Sequence, residues 1–435
     1  MTSITTITSV DETRNSQEQL ATRGAFASIT SRILKIFGKT DMDFDEKLSP
    51  SAQGYVAVNP CVMGPFSIFC KCSGLNLNNC KLRKSRSWPF SVIQALFAVL
   101  LIVLFSIKFI FTITAEYPPL TAKWAAANME VGMFGFSICS AICVLLWTKT
   151  GFIQSFEEQL GRLKALRFAR DDSIDTYRKD HIRMVIFGAL FMIGFVCTAF
   201  KHIFYETMLS EKTRGYHMNL FTMFGIEPIV TIYMGIACLV ALSIYYLVHL
   251  HLLREITYFN EELQKASRAQ QLMIPEIFTS FAKRHLSITL LIKHTNMHLG
   301  KLTGFGSILL CLPIANSVFI TISYIKLVSP IFLIELFSFN IFGMILMAQL
   351  LGAPGKVREG IDQTIGILLD DDTIILATDE KIIHTFRMFS ERCAKCTPMT
   401  AGTFVITNQL MKRVMLFVPN IGCFLAFLHK LINEA

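Results

Sequence analysis

The sequence predicts an all-α polytopic membrane protein with seven transmembrane helices, its N-terminus cytosolic, its C-terminus extracellular, and long cytosolic extensions on the helices. Two observations carry that prediction. Long apolar stretches recur along the 435 residues, and the positive charge falls on alternate sides of them. Crossing a hydrocarbon core of about 30 Å takes about 20 mostly apolar residues, because each helical residue rises about 1.5 Å. Such stretches lie at Trp88 to Ile113, Val131 to Trp147, Met184 to Phe200, Pro228 to Val248, Thr303 to Ile325, Leu327 to Leu351 and Val414 to His429. The first carries Lys108, the sixth carries Glu335, and the short third span must borrow a turn at either end.

Orientation follows from the basic residues. Of the 41 Lys and Arg, 34 fall in the arm before residue 88 and in the loops 149–183, 254–301 and 356–413, against 7 on the other side. Basic residues are held back on the cytosolic face, so the arm and the long loops are placed inside. Lys81, Arg83, Lys84 and Arg86, just before the first span, keep the bias when only charges near helix ends are considered. The net charge of +9 then reads as topology and contact with anionic membrane lipid, with no nucleic-acid partner required. A chain that is 52% hydrophobic, with 37 Phe, is also unlike an ordinary soluble protein. The first apolar run follows 87 mostly polar residues, so the first span itself is expected to act as the insertion signal.

Residues 1–87 read as a largely disordered cytosolic arm, rich in Ser and Thr at its start. Within it, Ile33, Leu34, Ile36 and Phe37 stand among Arg32, Lys35 and Lys39, the pattern of a short basic helix lying on the membrane. A solvated linker is the competing reading. Residues 88–353 hold the first six spans with their extensions, 354–412 a cytosolic linker ending in a short helix, and 413–435 the last span. The extensions are read from helical pairing and stripes. Glu158 stands four before Arg162 and Asp175 four before Lys179. Leu252, Ile256 and Phe259 share a face against Glu261, Glu262 and Lys265, and Ile277, Phe281, Ile288 and Leu291 repeat the pattern. Ile382, Phe386 and Phe389 suggest one more cytosolic helix.

Motifs for soluble chemistry are absent: there is no P-loop, no G-x-G-x-x-G after a strand, no H-E-x-x-H and no G-x-S-x-G. No enzymatic activity, cofactor or metal is expected. His249 and His251 fall on different helix faces. Asp370, Asp371 and Asp372 lack a glycine-punctuated calcium loop and read as a solvated turn. Most of the 12 cysteines lie in spans or on the reducing side. Cys61, Cys70, Cys72 and Cys80 lack the two tight pairs of a zinc site. The pair Cys393 and Cys396 is flanked by Arg392 and Lys395, which would acidify a redox-sensitive thiol; palmitoylation, or no role, is the alternative for both groups.

Near the C-terminus, Gly402 is followed by Phe404, Val405 and Ile406, leading through Leu410 into the last span. With seven helices, an inside N-terminus and short outer loops, this resembles the invertebrate gustatory and odorant receptor superfamily, in which a short cytosolic half-helix precedes the last helix. The resemblance covers residues 88–435 by architecture and about the last 35 by motif. The insect signature of Thr-Tyr, five apolar residues and Gln-Phe is missing, and Gly422 to Lys430 read GCFLAFLHK instead. The chain therefore resembles a nematode-type gustatory receptor-like member, a branch partly associated with light or peroxide sensing. The resemblance implies a ligand-gated cation channel in the plasma membrane of sensory neurons, built as a homotetramer through helix 7 and the cytosolic helices. Its stimulus would be a small-molecule ligand, or light or peroxide.

On that reading the first six helices sense and the last lines a pore. Phe417, Ile421, Phe424 or Leu425, and Leu428 share a helical stripe whose rings would close a pore by dewetting; packing against neighbouring helices is the other explanation. Pro419 removes a backbone donor and offers a hinge. Asn420 either lines the open path or satisfies the backbone freed by the proline. The ligand site is expected in the outer half of the first six helices. Glu335 leads, because a charge inside a bilayer is costly; it pairs with Lys326, binds a polar ligand or snorkels. Asn316 and Asn340 are candidates as buried amides, with interhelical hydrogen bonding as the alternative. Tyr233, Trp124 and Tyr324 are ligand or chromophore contacts or, with Trp88 and Tyr205, members of aromatic belts.

Two other classes compete. A metabotropic receptor would signal through the long charged loops, but with its C-terminus inside. A transporter would show inverted repeats with broken helices, and none is visible. Retinal chemistry is excluded, since Lys412 precedes the last span and Lys430 follows it with no lysine between.

Overall fold

The structure, a computed structural model, describes residues 62–64, 66, 70, 73, 88–114, 117–167, 178–204, 221–326, 330–395, 400–401 and 404–434. Helices α1 (Trp88–Thr114) and α2 (Ala122–Thr150) come first, and α2 is followed by the short α3 (Phe152–Ala165). Thr121 starts α2 by accepting the Trp124 N–H on its hydroxyl, and Gly151, at φ 66°, ends it and turns the chain into α3. Next come α4 (Arg178–Phe204), α5 (Phe221–Arg268), α6 (Pro275–Tyr324) and α7 (Pro330–Leu369). Proline in the first turn of α6 costs no hydrogen bond, because that N–H has no helical partner. The one-turn α8 (Asp372–Ile375) and amphipathic α9 (Glu380–Lys395) lead to a hairpin, β1 (Thr400–Ala401) and β2 (Phe404–Val405), which pairs Thr400 with Val405. The last helix is α10 (Asn408–Glu434).

The first four expected spans and the last fall within α1, α2, α4, α5 and α10, the fifth ends one residue past α6, and the sixth coincides with α7 from Pro330 on. Among the described residues, five helices are long and apolar enough to cross a membrane: α2, Pro228–Arg268 of α5, α6, Leu336–Leu369 of α7, and α10. Helices α1 and α4, of 27 residues each, hold the first and third expected spans. The chain is an all-α polytopic membrane protein.

Three helices greatly exceed a membrane thickness. Helices α5, α6 and α7 have 48, 50 and 40 residues, or about 60–75 Å of rod. Beyond the bilayer length, at the end of the bundle that carries the basic loops, they pack on one another with α3 and α9. Leu252, Ile256, Phe259, Phe278, Phe281, Ile288, Leu291 and Phe389 are all buried in that assembly. This is why the stripes exist: a helix outside lipid must bury its apolar face against something. Region 354–412 departs from the expected linker, since α7 continues through Pro354 to Leu369. Three arginines at this basic end are paired with carboxylates. Arg284, fully buried, binds Glu262 and lies 5.5 Å from the Phe259 ring centroid. Arg167 binds Glu255, and Arg254 binds Asp180.

Helix α6 is central, touching α2, α3, α5, α7, α9, β1 and α10. In its apolar half, Tyr245 of α5 donates to the Leu350 carbonyl of α7 at 2.6 Å and meets the Thr303 hydroxyl of α6 at 2.9 Å, tying three helices at one point.

Two readings need correction. The arm is not uniformly loose: Val62, Met63, Phe66, Cys70 and Ser73 are buried, and the apolar members join the core of the basic end. Asp371 is also more than a solvated turn residue. It is buried and caps α8, accepting the N–H groups of Thr373 and Ile374. The Ile29–Lys39 segment, Cys61, Cys72, Cys80, Asp175, Tyr205, Cys396 and Gly402 lie outside the described residues, as do the side chains of Trp88, Lys108 and Glu335.

Candidate functional site

The last helix is fixed at three levels. At the basic end, the Thr400 N–H donates to Asn296 Oδ1 of α6 at 2.9 Å, and Asn296 Nδ2 returns a bond to the Thr400 hydroxyl at 3.2 Å. This seats the hairpin on α6. Thr407 then caps α10 by accepting the Leu410 N–H at 3.0 Å, and Asn408 donates to Glu359 of α7 at 2.5 Å. Midway, Gly422 lies against α6 so closely that a Cβ there would stand 2.4 Å from the Ala315 carbonyl oxygen and 2.7 Å from Val318 Cβ. Only a residue without a side chain allows that approach. At the far end, the Tyr324 hydroxyl meets His429 Nε2 at 2.9 Å, and Phe319 packs edge-on to the His429 ring.

Those contacts use one side of α10 only. Val418, Gly422 and Ala426, spaced four apart, are the buried residues. The other side bears Leu416, Phe417, Phe424, Phe427, Leu431 and Ile432, all exposed, with Phe417 at 65% and Phe424 at 59%. Asn420 and Cys423 lie exposed among them. The expected stripe is thereby divided. Phe417, Asn420 and Phe424 are on the open side, whereas Ile421 packs on the main core, Leu425 on the smaller one near Phe319, and Leu428 is half-buried. Phe427 belongs to the open side and was not singled out from the sequence. Helix α10 runs unbroken through Pro419.

Five of the six expected ligand residues fall into three groups. Trp124, edge-on to Phe319 at 6.4 Å between centroids, joins Tyr324 at the end opposite the basic loops. Deeper, Asn340 of α7 donates to the Ser317 hydroxyl of α6 at 3.2 Å, an interhelical bond of the expected kind. Its neighbour Asn316 instead donates to Leu312 of its own helix at 2.9 Å, leaving its side-chain oxygen buried without a hydrogen bond. Tyr233 lies elsewhere, facing Phe97 and Phe105 of α1. Glu335 is on α7, and Lys326, just after α6, is exposed.

At the basic end, the Cys393 thiol lies 3.4 Å from His285 Nε2, both buried, and Arg392 donates to the Ala282 carbonyl at 2.9 Å. These contacts pin α9 to α6. Among the described residues, no three His, Cys, Asp or Glu side chains are grouped to hold a metal ion.

Among solved structures, the chain is similar to the insect olfactory receptor OR5 from Machilis hrabei, with 10% identity and a TM-score of 0.64, over 83% of this chain and 96% of that one. The same receptor in complex with eugenol matches with 11% identity and a TM-score of 0.58, over 82% and 96%. At such identity the likeness is one of fold. No curated protein matches the chain by sequence. A family model described as "Caenorhabditis protein of unknown function, DUF267" matches residues 62–422.

Proposed function

The chain belongs to the Caenorhabditis family of unknown function DUF267, and from its likeness in fold to an insect olfactory receptor we propose that it is a chemosensory receptor acting as a ligand-gated cation channel. In this reading the protein is of gustatory type and sits in the plasma membrane of sensory neurons. It has seven spans, a cytosolic N-terminus and an extracellular C-terminus, and four copies surround a pore lined by α10.

The observation that carries the proposal is the one-sided last helix. A helix that packs through Val418, Gly422 and Ala426 leaves Asn420 on the open side between Phe417 and Phe424, where hydrocarbon would strand its amide and water or another copy of the helix would not. Copies of α10 around a common axis cover part of that face and leave Asn420 and Cys423 beside a path for ions. Rings of Phe417 and Phe424 then close the path by dewetting. The unequal division of Lys and Arg supports the orientation. The relative's eugenol complex makes small phenolic compounds the natural first stimuli to try.

The test is whole-cell recording with an extracellular thiol reagent during a screen that includes phenolic volatiles, light and peroxide. A stimulus-evoked cation current that the reagent blocks in the wild type and spares in Cys423→Ser is expected. Block that is the same in both proteins removes α10 from the conduction path.

A further inference from the structure

We propose that His294 and His298, one turn apart on α6 at the basic end, form a binding site for a divalent transition-metal ion such as zinc, with water filling the remaining positions. Residues four apart on a helix share a face, the spacing by which two histidines of one helix take the same ion. Bonds of about 2.0–2.1 Å from two imidazole nitrogens to one ion place the ring centres about 5 Å apart. The rings of His294 and His298 stand 4.9 Å apart between centroids, with their planes at 66°.

Aromatic contacts hold both half-buried rings. Phe152, the first residue of α3 and fully buried, stacks on His298 at 4.7 Å and lies 5.5 Å from His294 between centroids. Gly151 puts Phe152 there by ending α2 in the left-handed conformation. Trp147, in the last turn of α2, donates its indole N–H to the His298 carbonyl at 2.9 Å and packs on Phe152 at 6.4 Å between centroids. The elbow between α2 and α3 thus fixes the pair from behind. Among the described residues, His294 Nε2 is buried without a hydrogen bond. A nitrogen left so costs free energy, which an ion shared with His298 recovers.

The donors select the metal. Imidazole suits zinc, copper and nickel, whereas calcium and magnesium take oxygen ligands. Coordination needs the neutral ring. Burial holds His294 below the usual imidazole range, and burial, with His294 and Lys301 adding to it, does the same for His298. Lys301 is the positive charge facing the pair, and it weakens the hold on a cation. No third His, Cys, Asp or Glu is grouped with the two among the described residues. The ion is therefore exchangeable, unlike a four-ligand structural zinc. Binding stiffens one turn of α6 beside the elbow, so the site reads the free metal concentration at the basic end.

Copper(II) is the probe, because its electron spin echo spectrum counts coordinated imidazoles. One equivalent added to the full chain in lipid nanodiscs, with accessible thiols blocked, is expected to give a two-imidazole signal in the wild type. His294→Phe and His298→Phe, which keep a ring against Phe152, are each expected to lose that signal, whereas His384→Phe and His429→Phe keep it. A wild type without the signal, a folded His294→Phe or His298→Phe that retains it, or its loss in His384→Phe or His429→Phe overturns the proposal. Size-exclusion elution reports folding, and if one of the two site variants misfolds the other decides. Should both misfold, the emission of Trp147, taken as the difference between wild type and Trp147→Phe, replaces them. It is expected to be largely quenched by one equivalent of copper(II), and unquenched emission overturns the proposal.

Discussion

The Tyr324 hydroxyl, at the end of α6, lies 2.9 Å from His429 Nε2 on α10 and donates to the Leu120 carbonyl at 2.9 Å. Its single proton goes to Leu120, so its oxygen accepts from the imidazole. One phenol thereby joins the last helix, the central helix and the loop between α1 and α2. With Nε2 donating, the ring's Nδ1 is the acceptor left for Asn433 Nδ2, 3.4 Å away and one turn on in α10.

Tyr324→Phe keeps the ring against Phe319 and loses both hydrogen bonds. A cost of about 1 kcal/mol is expected for a bond of this kind, or about five-fold faster amide exchange over residues 425–434. Exchange over the basic end should be unchanged. The measurement is hydrogen exchange at one pH, comparing peptides from the two ends.

Gly422→Ala should be among the most damaging small substitutions in α10. Its Cβ would overlap the Ala315 carbonyl and Val318, forcing the helices apart at a cost of about 1–3 kcal/mol. Cys423→Ala, one residue on at an exposed position, should change stability by less than about 0.5 kcal/mol. Thermal scans of detergent-solubilised protein, read by size-exclusion chromatography, are expected to rank them in that order.

Arg284 tests the basic end. Arg284→Met strands Glu262 and should cost about 3–5 kcal/mol, whereas Arg284→Met with Glu262→Leu should recover most of that loss. The same thermal scan checks it. A double variant no better than the single would mean that contact with the Phe259 ring, not charge pairing, holds the site together.

Much of this architecture was legible because membrane helices announce themselves by charge-free length, and their extensions by paired charges. Glu158 and Arg162, read from spacing alone, form an ion pair at 2.8 Å. The open side of α10 was harder to read. The helix is apolar nearly all round, so stripes through Phe417 and Ile421, or through Phe417 and Asn420, fit the period equally well. The available signal was small size: Val418, Gly422 and Ala426 recur every four residues and mark the side that approaches a neighbour. The buried residues of the arm were missed for a related reason. Val62, Phe66 and Cys70 also recur every four residues, but Pro60 and Pro65 read as interruptions, and the seat that receives them comes from α3 and α4, far along the chain. Nor does periodicity reveal a joint such as Asn408 with Glu359, which depends on two helices meeting.

The unbroken length of α6 carries a mechanical consequence. A rod of 50 residues, about 75 Å long, that tilts by about 5° about one tip sweeps its other tip through about 6 Å. The hairpin's seat at Asn296 stands about 35 Å along the rod from Phe319, so the same tilt about the Phe319 end would carry that seat through about 3 Å, as far as the Thr400 to Asn296 hydrogen bond is long.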